Sequence, residues 1–135
     1  MKVRRGIISE LEFSYDISEY NAKGDRAPHP DGYIRIPLKN QYPIHEANLL
    51  QIGLLSVEEA AAVFKAYAYL YNLPWQLTFI GTVDRKHDPV ISIQISADRY
   101  DGYTEISSNL HRHTNEAVVI LKKHLRETKR RFPAD

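Results

Sequence analysis

The chain predicts an α+β fold: a mainly antiparallel sheet of about five strands, in the order β-β-α-β-β-β-α, with two main helices packed on one face. Several stretches alternate apolar and polar residues with the period of a half-buried strand. The two clearest helical stretches, residues 56–72 and the carboxyl-terminal segment, are grouped instead of separating every pair of strands. Short turns between the later strands make neighbours antiparallel.

Taken in order, Ile7, Leu11, Phe13 and Tyr15 alternate with Glu10, Glu12, Ser14 and Asp16, a first strand. Residues 17–32 hold Pro and Gly with little apolar content and read as a loop of about sixteen residues, long enough to be functional or mobile. Ile34, Ile36 and Leu38 alternate with Tyr33, Arg35 and Pro37 in a second strand. Pro37 has no ladder donor, so that strand belongs at a sheet edge. Residues 46–55, rich in leucine, predict a short helix ending near Gly53.

Ser56 and Glu59 have the spacing of a capping box, in which each side chain satisfies the other's backbone N–H. The helix they open is expected to run to about Asn72, with Pro74 forbidding continuation. Trp75, Leu77, Phe79 and Val83 then line one strand face and Ile91, Ile93, Ile95 and Ala97 the next, with a turn over 84–89. Asp101-Gly102 reads as another turn, so residues 103–108 return as the last strand of a meander. A closing helix starts between Ser108 and Thr114. It carries Ala117, Val118, Leu121, Leu125 and Phe132 at helical spacing, with Pro133 beyond.

From Ser56 onward the order helix, three antiparallel strands, helix resembles that of a double-stranded RNA-binding domain. That family's lysine cluster at the start of its last helix is not matched here, where residues 109–119 read NLHRHTNEAVV.

Composition limits the function classes. A chain of 135 residues with 43% hydrophobic and 26% charged residues is one globular domain. Absence of cysteine excludes a disulfide framework, a thiolate zinc site and a cysteine nucleophile, and fits the cytoplasm. Eighteen Lys and Arg against seventeen Asp and Glu give a formal net charge of +1, so any electrostatic site is local. No stretch has the apolar length of a spanning helix or a signal peptide, and no membrane partner is expected.

No nucleophile elbow or Gly-rich phosphate fingerprint is present, so neither an enzyme nor a cofactor is the expectation. Between Ala60 and Leu70 the only charge is Lys65, and a helix apolar all round is covered on both sides. The sheet and residues 49–55 are one pair of covers. A second subunit is the other, supported by Tyr67, Tyr69 and Tyr71.

The closing helix ends in a basic run whose spacing puts Lys122, Arg126 and Lys129 on one face and Lys123 with Arg130 beside it. Such cations complement the helix dipole and also make a phosphate-contacting patch. The hairpin tips supply Arg85 and Lys86 at one end and Arg99 with Tyr100 at the other, donors and a stacking face suited to nucleotides.

The resulting expectation is a non-enzymatic homodimer that captures nucleic acid or a nucleotide through Arg85, Lys86, Arg99, Tyr100, Lys122, Arg126, Lys129 and Arg130. The alternatives are a protein inhibitor or adaptor using residues 17–32 and exposed tyrosines, and a metal-dependent hydrolase built on His29, Asp31 and His45. No metal ligand set with strong spacing is present.

Overall fold

Apolar residues at three- and four-residue spacing, not two, govern most of the chain. The computed structural model describes residues 2–22, 33–37, 42–84 and 92–131; within these, the side chains of 14–22, 33–37, 84, 92 and 97 are left aside. The first helix, α1, spans Lys2–Ala22, with Val3, Ile7, Ile8 and Leu11 buried along one face. The strand expected over 7–15 is therefore helix, and so are the first residues of the expected loop; its remainder lies outside the described residues. Two-residue alternation misled there because Glu10, which looks solvent-facing, is buried.

Strand β1, Tyr33–Pro37, coincides with the expected edge strand and lies at an edge of the sheet formed by the described residues. A short helix α2, Pro43–Ala47, and a 3-10 turn, Gln51–Leu54, replace the single short helix expected over 46–55. Helix α3, Val57–Thr78, opens with the expected capping box: Ser56 Oγ accepts from the Glu59 amide at 3.2 Å, and Glu59 Oε1 accepts from the Ser56 amide at 3.1 Å.

Pro74 lies inside α3 instead of ending it. Its ring denies the Leu70 carbonyl an N–H and costs about 3 kcal/mol. Leu73 and Leu77 on either side pack into the core, and that burial carries the helix through. The strand expected from Trp75 shrinks to β2, Thr82–Asp84, while β3, Ser92–Ser96, falls where it was expected. After a 3-10 turn over Ala97–Arg99, helix α4 runs from Tyr100 to Arg131.

The last expected strand, 103–108, is thus the start of α4, and Asp101-Gly102 is helical. Tyr103, Ser107, Leu110, Thr114, Ala117 and Leu121 are buried at alternating spacings of four and three, a helical stripe that outweighs the turn dipeptide. Asp101 in the first turn also complements the helix dipole.

The α+β sheet architecture is corrected accordingly. The fold is dominated by helix, with one three-stranded antiparallel sheet of order β1-β3-β2 in place of five strands carrying two helices. Ile34 and Ile36 pair with Ile95 and Ile93, and Val83 faces Ile93 from the other side. The element order that resembled a double-stranded RNA-binding domain falls with the missing strand.

Two apolar clusters hold these elements. The larger joins α1, α3 and α4 through Ile7, Leu11, Val63, Ala66, Tyr67, Leu70, Ala117 and Leu121. The smaller seats β3 on the carboxyl end of α3 and the first turn of α4 through Ile93, Ile95, Leu77 and Tyr103. Helix α4 runs antiparallel to both others: Arg4 approaches Thr128 and Glu12 approaches Lys122, while Glu59 lies near His124 and Tyr69 stacks on His113. No described helix is long and apolar enough to cross a membrane.

Gly81 sets the approach of α3 to the sheet. A Cβ there would lie 2.8 Å from the Gln94 carbonyl oxygen and collide with Ile93. Gly81→Ala is expected to lose about 1–3 kcal/mol, as overpacked sites do. A urea midpoint equal to that of the unaltered chain would show the sheet moving aside freely.

Candidate functional site

Packing α1 antiparallel on α4 brings the amino-terminal turn of one against the carboxyl-terminal turns of the other. Arg4 marks the junction: its Nη1 donates to Thr128 Oγ1 at 3.3 Å, while Nε and Nη2 donate to the two oxygens of Glu59 at 2.6 and 2.8 Å. Lys2 and Arg5, exposed on either side of Arg4, therefore join Lys123, Arg126, Lys129, Arg130 and Arg131, all exposed at the end of α4.

Glu127 is exposed within the basic run and offsets one of its cations, whereas other acidic groups at this end are engaged. Glu59 is held by Arg4, and Glu12 pairs with Lys122 at 2.5 Å. Glu58 lies 3.4 Å from His124 Nε2. The helix dipole adds negative potential at the last carbonyls, but it reaches only about one turn and amounts to half a charge. The net field at this end of the bundle is cationic.

The expected set of binding residues does not assemble as one site. Lys122, Arg126, Lys129 and Arg130 share this end, with Lys122 partly neutralised. Arg99 and Tyr100 stand at the opposite end of α4, about 40 Å away at 1.5 Å per residue. Arg99 is exposed but donates through Nη1 to the Phe79 carbonyl at 3.3 Å, closing the turn after α3. Tyr100 is half-buried against the smaller cluster and tilted against Tyr103. Arg85 and Lys86 lie outside the described residues.

Lys2 and Arg5 were missed because their meeting with Lys129 and Arg130 depends on packing between distant segments. The helical spacing of Val3, Ile7 and Leu11 was the signal that held it.

A second polar cluster lies between α1, α2 and α3. Glu10 Oε1 accepts from the Tyr67 hydroxyl at 2.6 Å and from the His45 amide at 3.1 Å, and Oε2 accepts from the Ile44 amide at 2.9 Å. The His45 ring stacks on Tyr67 with centroids 3.9 Å apart, and Tyr42 meets Tyr67 edge-on. Burial pushes the Tyr67 and Tyr42 phenols well above their ordinary range, and the Glu10 carboxylate adds to both shifts. Burial likewise lowers His45, against the pull of Glu10 and Glu46.

These groups are saturated by one another, so the cluster is a structural staple. Of the tyrosines here, Tyr42 and Tyr67 are buried and so not available to the adaptor alternative, while Tyr71, whose phenol burial pushes up to about 12, is exposed and donates to Glu46 at 3.2 Å. His29 and Asp31 of the hydrolase alternative lie outside the described residues, and among the described residues no three His, Asp or Glu are grouped to hold a metal ion.

His113 is buried in α4 and stacks on Tyr69 with centroids 4.1 Å apart. Burial, with Lys65 and Arg112 nearby, lowers its affinity for a proton despite Glu116. A neutral imidazole there belongs to the packing.

No family model matches the chain, and no curated protein or solved structure resembles it at a significant level.

Proposed function

We propose that this protein is a non-enzymatic binder of nucleic acid that contacts phosphates with the cationic end of its helical bundle. The observation that supports this most is the convergence of Lys2 and Arg5 with Lys123, Arg126, Lys129 and Arg130 around the Arg4–Thr128 contact. With Lys122 and Arg131 included, the exposed cations of α4 extend along about 14 Å of helix. Phosphates recur every 3.4 Å of axis along one strand, so the patch spans about four of them. A single nucleotide, by contrast, is normally held in a concave pocket. Contacts of this kind position a protein on nucleic acid without reading bases.

The test is fluorescence anisotropy of a labelled 20-base-pair DNA duplex titrated with the full chain. With four phosphates contacted, affinity is expected to fall about 100-fold between 50 and 200 mM salt. The combined variant Lys123→Glu, Arg126→Glu, Lys129→Glu and Arg130→Glu is expected to abolish binding with unchanged far-UV circular dichroism. Binding that ignores salt, or that survives these substitutions, rejects the assignment.

A further inference from the structure

Helix α3 presents two opposite faces; among the described residues one is packed into the core, and the other is left largely open apart from Tyr71, which packs on Tyr42 and donates to Glu46. Val63, Ala66, Tyr67, Leu70 and Leu77 point into the clusters already described. On the far side Val57 is 87%, Phe64 77%, Trp75 67% and Phe79 70% exposed. Ala61, Ala68 and Tyr71 fill the positions between, so Val57, Ala61, Phe64, Ala68, Tyr71 and Trp75 recur at alternating steps of four and three, the seam of a coiled coil. The segment expected to cover this face does not: Leu55 and Ile52 turn inward, whereas Leu50 and Leu54 stay exposed beside the start of α3.

We propose that this face is the contact surface between two copies of the chain, packed antiparallel about a two-fold axis level with Ala66. Side-chain sizes along the seam select that arrangement. In the antiparallel register Val57 lies opposite Trp75, Ala61 opposite Tyr71, and Phe64 opposite Ala68, so every layer joins one small side chain to one aromatic. Parallel pairing sets Phe64 on Phe64 and Trp75 on Trp75 while Ala61 and Ala68 meet their own copies. The bulky layers then hold the helices apart and the alanine layers stay empty, which close packing disfavours.

Charge selects the same orientation. The cationic end of the bundle lies at the start of α3, as the approach of Glu59 to His124 shows. Antiparallel packing in this register places the two cationic ends at opposite extremes, about 27 Å apart along the helix from the level of Val57 to that of Trp75. That distance is several Debye lengths at physiological salt. A parallel dimer brings them side by side.

The area suffices. Ordinary aromatic side chains of about 150–250 Å², scaled by these exposures and with Val57 added, leave on the order of 600 Å² per chain. About 1,200 Å² for the pair is the lower end of specific interfaces. Leu50 and Leu54 extend it where the partner copy's α3 ends. The inference does not depend on nucleic-acid binding, because the seam and the cationic end are separate surfaces.

Sedimentation equilibrium of the untagged full chain is expected to give twice the 15.6 kDa chain mass at about 50 µM. Phe64→Glu with Trp75→Glu is expected to give a monomer with unchanged circular dichroism, since both side chains are exposed. A monomer from the unaltered chain overturns the proposal, whatever else covers the face, and so does a dimer that survives both substitutions.

The absence of cysteine makes the register testable. When a Phe64→Cys chain and an Ala68→Cys chain are mixed and oxidised, a disulfide is expected between unlike chains, opposite positions in one layer. Preferential linking of like chains is the parallel outcome and overturns the register.

Discussion

Glu59→Ala is expected to cost about 3–5 kcal/mol, a large share of the 5–15 kcal/mol that holds a domain of this size. The carboxylate is fully buried, and its bonds to Arg4 and the Ser56 amide tie the first turn of α1 to the start of α3, while Arg4 reaches the end of α4 through Thr128. Alanine leaves the Arg4 guanidinium, itself 11% exposed, without its counter-ion and removes half of the capping box. Thermal denaturation followed by circular dichroism is expected to show a midpoint about 10–20 °C lower. Arg4→Met with Glu59→Leu together are expected to cost less than Glu59→Ala alone, because no charge is then left stranded. A loss below about 1 kcal/mol would mean that water solvates the pair.

The same carboxylate gives the fold an acid limit. Burial alone raises its proton affinity, but the bond from Arg4 and those from Ser56 outweigh burial and hold it below the ordinary 4.5. The unfolded chain then binds more protons than the folded one as pH falls through that range. The contribution of Glu59 is complete above about pH 4.5 and is lost on descending through its lower folded value. Glu59→Gln is expected to flatten the acid limb of stability against pH.

Glu10→Ala has the second largest expected effect, about 2–4 kcal/mol. The Tyr67 hydroxyl and the amides of Ile44 and His45 all donate to this side chain. Those amides belong to the first turn of α2, where no carbonyl within the helix can reach them. Ordinarily the residue before a helix supplies the cap; here Tyr42 makes no side-chain cap bond, and a carboxylate 34 residues earlier in the chain takes the part. Each buried donor left without a partner costs about 1–3 kcal/mol. Glu10→Gln keeps one oxygen and is expected to lose about half as much. Faster hydrogen exchange at the Ile44 and His45 amides identifies the loss as the missing cap; unchanged exchange there would place it elsewhere.

Both residues show where sequence reading succeeds and stops. Glu59 was legible because its partner Ser56 is three residues away, a fixed local spacing. Glu10 was read as the polar half of a strand because the groups that justify its burial come from residues 44, 45 and 67. The β-branched alternation of Ile34 and Ile36, and of Ile91, Ile93 and Ile95, revealed two strands correctly. Tyr103 to Ser108 was assigned to a strand because Asp101-Gly102 looked like a turn, while the stripe through Leu110 and Thr114 shows helix only when read as one long segment. Of the candidate site, the cations on α4 were visible as a helical face. Lys2 and Arg5 were not, since α1 itself was mistaken for a strand, and Arg99 and Tyr100 were grouped with them although α4 holds the two sets apart.

The length of α4 has one more consequence. Its two ends belong to different apolar clusters: Tyr103 to the one that holds the sheet, Leu110 to Leu121 to the one that holds α1 and α3. Among the described residues the sheet end buries fewer apolar side chains, so it is expected to open at lower free energy than the bundle. Two cooperative units threaded on one helix are therefore expected, with hydrogen exchange near Tyr100 faster than at Leu110 to Leu121. A ligand at the cationic end would stabilise the bundle unit against unfolding and leave the opening equilibrium of the sheet unit nearly unchanged.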